Sequence, residues 1–248
     1  MHIITLPSEF KTWMKDAGDP LFWYRSRREL RALLRRYPSG RGDDLLAITK
    51  RYHGHGWYKW LAAYQVDEEF GRLAEWAMAQ QPETVIEIGT ASGATLLLWS
   101  RIARRHVISI DLPGGIHGGG YPERKKRLFT EFVRDRAGLR LDLVRASSHD
   151  PHTKSHVTAL LGGTKADILF IDGDHRLEGV TRDLEMWRDL VRPGGQIILH
   201  DILPHPHLES CQVHILWATL KRDYPDATWE IVAAPDQGWA GIGVLDVA

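Results

Sequence analysis

Residues 84–111 read TVIEIGTASGATLLLWSRIARRHVISID, and this stretch decides the fold. A β-branched run, Thr84 to Ile88, meets a glycine-bearing turn that passes from Gly89 through Thr90, Ala91 and Ser92 to Gly93. Leu96, Leu97, Trp99 and Ile102 then recur at helical spacing, and a second β-branched run, Val107 to Ile110, ends in Asp111. Strand, turn, helix and strand make half of a doubly wound nucleotide-binding unit. Glycine in the turn lets a ligand approach the backbone, and the first turn of the helix offers unpaired N–H groups. Asp111, at the tip of the second strand, is placed to accept hydrogen bonds from a ribose diol.

Spacing then selects among nucleotides. A dinucleotide fingerprint needs G-x-G-x-x-G, whereas the turn here is Gly89-x-x-x-Gly93, and no Gly-Lys-Ser/Thr ending makes it a phosphate loop. Glu87-x-Gly89 followed by Asp111 resembles instead the first two motifs of class I S-adenosylmethionine (SAM) methyltransferases.

Downstream, the same alternation continues. Pro113 to Tyr121 holds five glycines and is either mobile or a close-approach surface for a ligand. A helix is expected over Pro122–Arg136 and a third strand over Leu139–Val144. The loop after that strand abuts the adenine in this topology, which makes Ser147, Ser148 and His149 candidates, while Asp150 before Pro151 reads as a helix N-cap. His149, His152 and His156 fall near one helix face, as a zinc site or, more simply, as a solvated face. The apolar run Ala166–Ile171 suits a buried parallel strand and ends in Asp172-Gly173-Asp174-His175. Another helix, closed by Arg192-Pro193-Gly194-Gly195, leads to a fifth strand, Gln196–Leu199, that ends in His200-Asp201. Ligands of open α/β sheets sit beyond the carboxyl ends of the strands. Asp172 and Asp201 therefore face the same crevice as Gly89, Gly93 and Asp111. A helix over Leu208–Tyr224, carrying Cys211 in a structural position, and two short strands, Thr228–Ala233 and Gly241–Val247, complete a seven-stranded sheet with an antiparallel C-terminal pair.

The stretch LFIDGDHRLEGVTRDLEMWRDLVRPGGQIILHDI, residues 169–202, resembles the SAM-dependent O-methyltransferases of the class 24 family. These include macrocin-type and cephalosporin-biosynthesis-type enzymes and are akin to catechol O-methyltransferases. The resemblance runs over about residues 84–202. It implies a Rossmann-like α/β domain that binds SAM through Glu87, Gly89, Thr90, Ser92, Gly93, Asp111, Ser147, Ser148 and Asp172. It also implies a divalent cation, usually magnesium, held by Asp172 and Asp201 with His200 as a third ligand. Catalytic roles fall to Asp172 and to His175, which lies where catechol enzymes carry a lysine base; a histidine near neutral pKa could take the substrate proton. His200 departs from the acid of catechol enzymes, and imidazole is a poor magnesium ligand. Water in its place, a softer ion such as manganese or iron, or a metal-free site are the alternatives.

Residues 1–82 lie outside the resemblance and read as a helical, aromatic extension, a cap or an oligomerisation element, ahead of a methyltransferase domain over 83–248. Arg25–Arg36 is an amphipathic helix with either a solvated basic side or a patch for an acidic partner. His53–Trp60 is a lid candidate or ordinary packing. Lys+Arg and Asp+Glu are both 32 in 248 residues, so bulk attraction to nucleic acid is not indicated. A single cysteine suits a reducing cytoplasm, no apolar run nears the roughly 18 residues of a membrane span, and Met1-His2-Ile3 does not open a signal peptide. The expectation is a cytoplasmic enzyme for a hydroxylated small molecule, sugar or natural product, with no nucleic-acid or membrane partner and homo-oligomerisation left open. A metal-independent N-methyltransferase and a non-catalytic SAM-binding partner are the alternatives.

Overall fold

The computed structural model describes residues 7–114, 119–234 and 236–248. The middle of the glycine-rich loop, 115–118, and the N-terminal Met1-His2-Ile3 lie outside the described residues. Seven strands form one sheet in the order β3-β2-β1-β4-β5-β7-β6. They are β1 Thr84–Ile88, β2 His106–Asp111, β3 Arg140–Arg145, β4 Ala166–Ile171, β5 Val191–His200, β6 Thr228–Ile231 and β7 Ile242–Asp246. β1 to β5 run parallel and β7 antiparallel to both neighbours. Every residue of β1 is buried, as expected of a central parallel strand covered on both faces. The chain reverses its direction of growth between β1 and β4, which opens a crevice at their carboxyl ends.

Helices α1 Ser8–Ala17, α2 Asp19–Arg36, α3 Gly42–Arg51 and α4 Asp67–Gln80 precede the sheet. The first and third are additional to the sequence reading. Leu30 and Leu34 of α2, Leu45 and Ile48 of α3 and Phe70 and Leu73 of α4 share one core cluster with Leu96, Leu97 and Trp99 of α5 Ala94–Ile102. Residues on both sides of position 83 thus build that core together. The basic side of α2 is partly docked: Arg27 and Arg31 donate to Glu131, at 3.0 and 2.6 Å. Segment 53–58 packs as well, since Tyr58 is buried and donates its hydroxyl to Asp19 at 2.8 Å.

Three element boundaries differ from expectation. The helix over 122–136 is broken into 3₁₀ turns at Glu123–Lys125 and Thr130–Val133 around a short α6, Lys126–Phe129. Lys125, Leu128 and Glu131 are all buried at three-residue spacing, which matches the tighter repeat of a 3₁₀ helix. β5 begins at Val191, and Arg192–Gly195 forms an irregularity in its ladder with β4. The last helix, α9, begins at Val213 rather than Leu208, because Gln212 is held by His175 and Leu177: its N–H donates to the His175 carbonyl at 2.7 Å and its side chain accepts from Leu177. As expected, Asp150 caps α7 Pro151–Leu161 by accepting from the His152 N–H at 2.9 Å. α8, Leu177–Trp187, packs beside α9.

Glu131 is 8% exposed while its arginines are about one-third exposed, so solvent screens the pair only in part. Glu131→Ala is expected to lower the unfolding free energy by about 1–3 kcal/mol in a urea titration. A loss within error of zero would mean that α2 does not depend on this clamp.

Candidate active site

The carboxyl ends of β1, β2, β4 and β5 bring four acids together. Glu87 lies inside β1, Asp111 ends β2, Asp172 follows β4 and Asp201 follows β5. The parallel ladder fixes their relation: Gly89 N–H donates to the Ile110 carbonyl at 2.9 Å, and Asp172 N–H to the Ile88 carbonyl at 2.8 Å.

Both turn glycines are required by internal contacts. Gly89 has φ +95°, and a Cβ there would lie 1.9 Å from the Asp172 carbonyl oxygen. Gly93, at φ +96°, would drive a Cβ to 2.3 Å from the Phe129 ring. The close approach that sequence reading assigned to a ligand is made by β4 and by the Phe129 side chain.

Asp111 is likewise engaged by the protein. Its Oδ2 accepts from the backbone N–H groups of Thr90 and Ala91, at 3.0 and 2.7 Å, and its Oδ1 from Leu112 at 2.7 Å. The acid fixes the glycine turn and keeps lone pairs on Oδ1 for a further donor. Burial pushes its pKa up against these three N–H bonds, and the charge of Asp172 adds to the rise. Glu87 is fully buried; Ser109 donates to one oxygen and the other has no partner. Burial pushes its carboxyl up to about 8, opposed by the Ser109 hydrogen bond and the nearby Thr95 hydroxyl and helped by the charges of Asp111 and Asp172. Thr90 is buried with its hydroxyl on Ser109, and Ser92 donates to the Ala62 carbonyl at 2.6 Å.

At the other side of the crevice, Asp172, His175, His200, Asp201 and His205 form one polar cluster. His175 presents Nε2 to Asp172 Oδ1 at 3.2 Å and Nδ1 to Asp201 Oδ2 at 3.4 Å. A carboxylate facing each ring nitrogen favours the imidazolium form. Burial pushes His175 down, but its bonds to Asp172 and Cys211 and the charges of both acids outweigh this and hold it well above the neutral range. The near-neutral value expected for His175 is therefore corrected: two carboxylates flank it. His200 is buried and places Nδ1 at 3.2 Å from Asp172 and 3.4 Å from Asp201, while its Nε2 has no partner. It too is raised, the carboxylates outweighing burial. Asp172 and Asp201 are held low, because His200 and His175 outweigh the cost of burying them. Asp172, His200 and Asp201 each offer one donor atom within 4.8 Å of the others. Asp201 adopts φ +63°, a left-handed conformation that costs a non-glycine residue roughly 1–2 kcal/mol.

Ser147 and Ser148 both lie in the loop after β3, half-buried. Ser147 accepts the His149 N–H, and the Ser148 carbonyl accepts the Trp187 indole at 3.1 Å. The histidine trio is not brought together: His149 turns inward to Asp183 at 3.2 Å, whereas His152 and His156 are exposed.

Sequence reading missed four participants. Gln65 is buried and donates to Asp172 Oδ2 at 3.0 Å, and Ala62 receives Ser92, so the segment before α4 walls the crevice. His205 lies 3.1 Å from Asp201, and Ala240 N–H donates to it. Cys211 is buried beside His175 and Asp201 and precedes α9 instead of lying on the expected helix. None of these carries a local pattern, since Gln65 meets its partner across 107 residues. Only Asp201-x-x-x-His205, a second imidazole near a suspected ligand, offered a signal.

Residues 86–202 match the family model of a methyltransferase domain, the class 24 group. This stretch of the chain is similar to that methyltransferase family. An uncharacterized protein, R132, of Acanthamoeba polyphaga mimivirus is 32% identical over 119 residues, 48% of this chain and 51% of the relative. The chain thus spans about half the length of that curated relative. Among solved structures, the O-methyltransferase of Bacillus cereus in complex with SAH superposes with a TM-score of 0.53 at 16% identity, over 89% of this chain and 91% of that one. The O-methyltransferase TomG of Streptomyces achromogenes, involved in tomaymycin synthesis and solved with SAM, gives 0.52 at 16% identity over 76% and 82%. These likenesses establish the class I methyltransferase fold. No helix among the described residues is long and apolar enough to cross a membrane.

Glu87 binds its proton more tightly in the folded protein, about 8 against an ordinary 4.5. The stability this confers is complete below about pH 4.5 and is lost as pH rises to about 8. Ligand-free wild type is expected to lose on the order of 4 kcal/mol more than Glu87→Gln over that window in urea unfolding. Parallel pH profiles for the two proteins would show that Glu87 ionises normally.

Proposed function

We propose that this protein is a SAM-dependent O-methyltransferase acting on a hydroxyl of a small molecule, with a divalent cation beside the methyl-transfer position. One observation carries the reading: Glu87, Asp111 and Asp172 converge at the ends of three adjacent strands, and the charge of Asp172, itself held low by its histidines, adds to the rise of the other two. Such a crevice suits a ligand with a sulfonium and an ammonium group. The residues present fit that ligand. Glu87 keeps a buried oxygen without a partner, Asp111 Oδ1 can take a ribose hydroxyl, and no side chain caps the start of α5. Ser147 and Ser148 lie where the adenine would rest. Bound there, SAM supplies an electrophilic methyl group.

Asp172, His200 and Asp201 would hold the cation, which lowers the pKa of a bound hydroxyl. Two carboxylates and one imidazole match manganese or iron better than magnesium, which prefers oxygen alone. His175 is the imidazole that substrate can reach: its side chain is 34% exposed, against 2% for His200. Held as an imidazolium by Asp172 and Asp201, it has no free lone pair, so we assign it to orienting the substrate hydroxyl as a hydrogen-bond donor rather than to accepting its proton. Gln65 holds Asp172 Oδ2, orienting that carboxylate toward His175 and His200. The family match and the O-methyltransferase neighbours favour oxygen over nitrogen as acceptor, and a sugar or natural-product hydroxyl is the substrate class we propose.

Calorimetric titration tests the assignment. SAM is expected to bind wild type and Asp172→Asn, and to bind Asp111→Ala at least about tenfold more weakly, since loss of both the ribose acceptor and the turn anchor exceeds 1.4 kcal/mol. With a hydroxylated acceptor, Asp172→Asn and His175→Ala are expected to lose turnover while retaining SAM. Absence of a SAM heat from wild type would withdraw the cofactor, and full turnover in Asp172→Asn would withdraw the cation.

A further inference from the structure

The polar cluster contains a second donor set. His175, Asp201 and Cys211 each offer one atom within 4.8 Å of the others, and these three are distinct from the Asp172, His200 and Asp201 set except at Asp201. Asp201 presents a different oxygen to each of the two histidines. Its Oδ1 faces His200 Nδ1 at 3.4 Å, while its Oδ2 faces His175 Nδ1 at 3.4 Å. Cys211 is the sole cysteine of the chain, it is buried, and its side chain meets the His175 ring.

We propose that His175, Asp201 and Cys211 form a separate site for a thiophilic divalent cation of the zinc class. The donor types decide the ion. A thiolate selects zinc, cobalt and similar ions over magnesium, and zinc accepts all three donor types here, sulfur, nitrogen and carboxylate oxygen, with water in a fourth position. A zinc ion sits about 2.0–2.3 Å from such atoms, so a span of 4.8 Å or less closes onto it with small side-chain movements. The half-exposed His175 side leaves the fourth position to water, whereas Asp201 and Cys211 close the other side. Binding displaces two protons to solvent, one from the Cys211 thiol and one from His175 Nδ1, which the ion then occupies. The ion thereby takes the imidazole that the proposed methyl transfer uses, and zinc becomes an inhibitor of it. The site itself does not depend on the methyltransferase reading.

Cobalt reports the thiolate directly. Titrating cobalt(II) into the reduced full chain is expected to raise a near-ultraviolet thiolate-to-cobalt charge-transfer band that saturates at one equivalent and is abolished by zinc. Asp172→Asn should keep the band. Cys211→Ser should abolish it, and His175→Ala should weaken cobalt binding by upwards of roughly 100-fold, more than loss of an outer-sphere partner costs. Saturating cobalt without the band overturns the proposal. So does a band lost in Asp172→Asn, which would make the two sets one site, or a band of unchanged affinity in His175→Ala, which would leave the thiol binding alone. SAM heats measured on the same samples separate the two readings: a Cys211→Ser protein that binds SAM but shows no band is folded, and failure of SAM binding in wild type leaves the cobalt result intact.

Discussion

Negative charge at the ends of parallel strands is the constraint that the rest of this structure answers. Four carboxylates are buried or half-buried within one crevice, and none can remain ionised there without compensation. The protein supplies three kinds. Asp111 receives backbone N–H groups, which ties the charge to the shape of the glycine turn. Asp172 and Asp201 receive imidazoles, which share protons between them. Glu87 receives one hydroxyl and is left to hold its own proton. The site is therefore assembled around groups whose charge state a cationic ligand can change.

Much of this was legible in the sequence because it is local or periodic. Val85 to Ile88 and Ile168 to Ile171 are strands by composition, and the acids at their ends follow from strand polarity alone. Gly89 and Gly93 were legible as special positions, but their reason was not. What they accommodate is the Asp172 carbonyl and the Phe129 ring, 83 and 36 residues onward, and no local pattern encodes those distances. The same holds for Gln65 and His205, whose importance arises only when strands align. The broken helix over 122–133 shows a second limit, since its apolar spacing suited an α-helix and tertiary demands on Lys125 and Glu131 tightened it.

The N-terminal helices illustrate how a boundary drawn by resemblance differs from one drawn by packing. Family likeness begins near residue 84, yet Leu30, Leu45 and Ile48 fill the same apolar cluster as Trp99. The extension also reaches the chemistry. Ala62 and Gln65 contact the glycine turn and Asp172, so the covering segment and the crevice are one packed unit.

One buried acid behind the crevice has a consequence for how the chain acquires its shape. Glu69 on α4 is fully buried and accepts from Ala233, Gln237 and Gly241, which lie 164, 168 and 172 residues later. Until β6 and β7 dock, this carboxylate has no partner and α4 cannot bury it without a penalty of several kcal/mol. The loop it holds is the one whose Ala240 N–H supports His205 beside Asp201. Completion of the cluster therefore waits on contacts of the longest sequence separation, the slowest kind to form. Early folding intermediates would possess the strands and the glycine turn while still lacking the finished cluster of carboxylates and imidazoles.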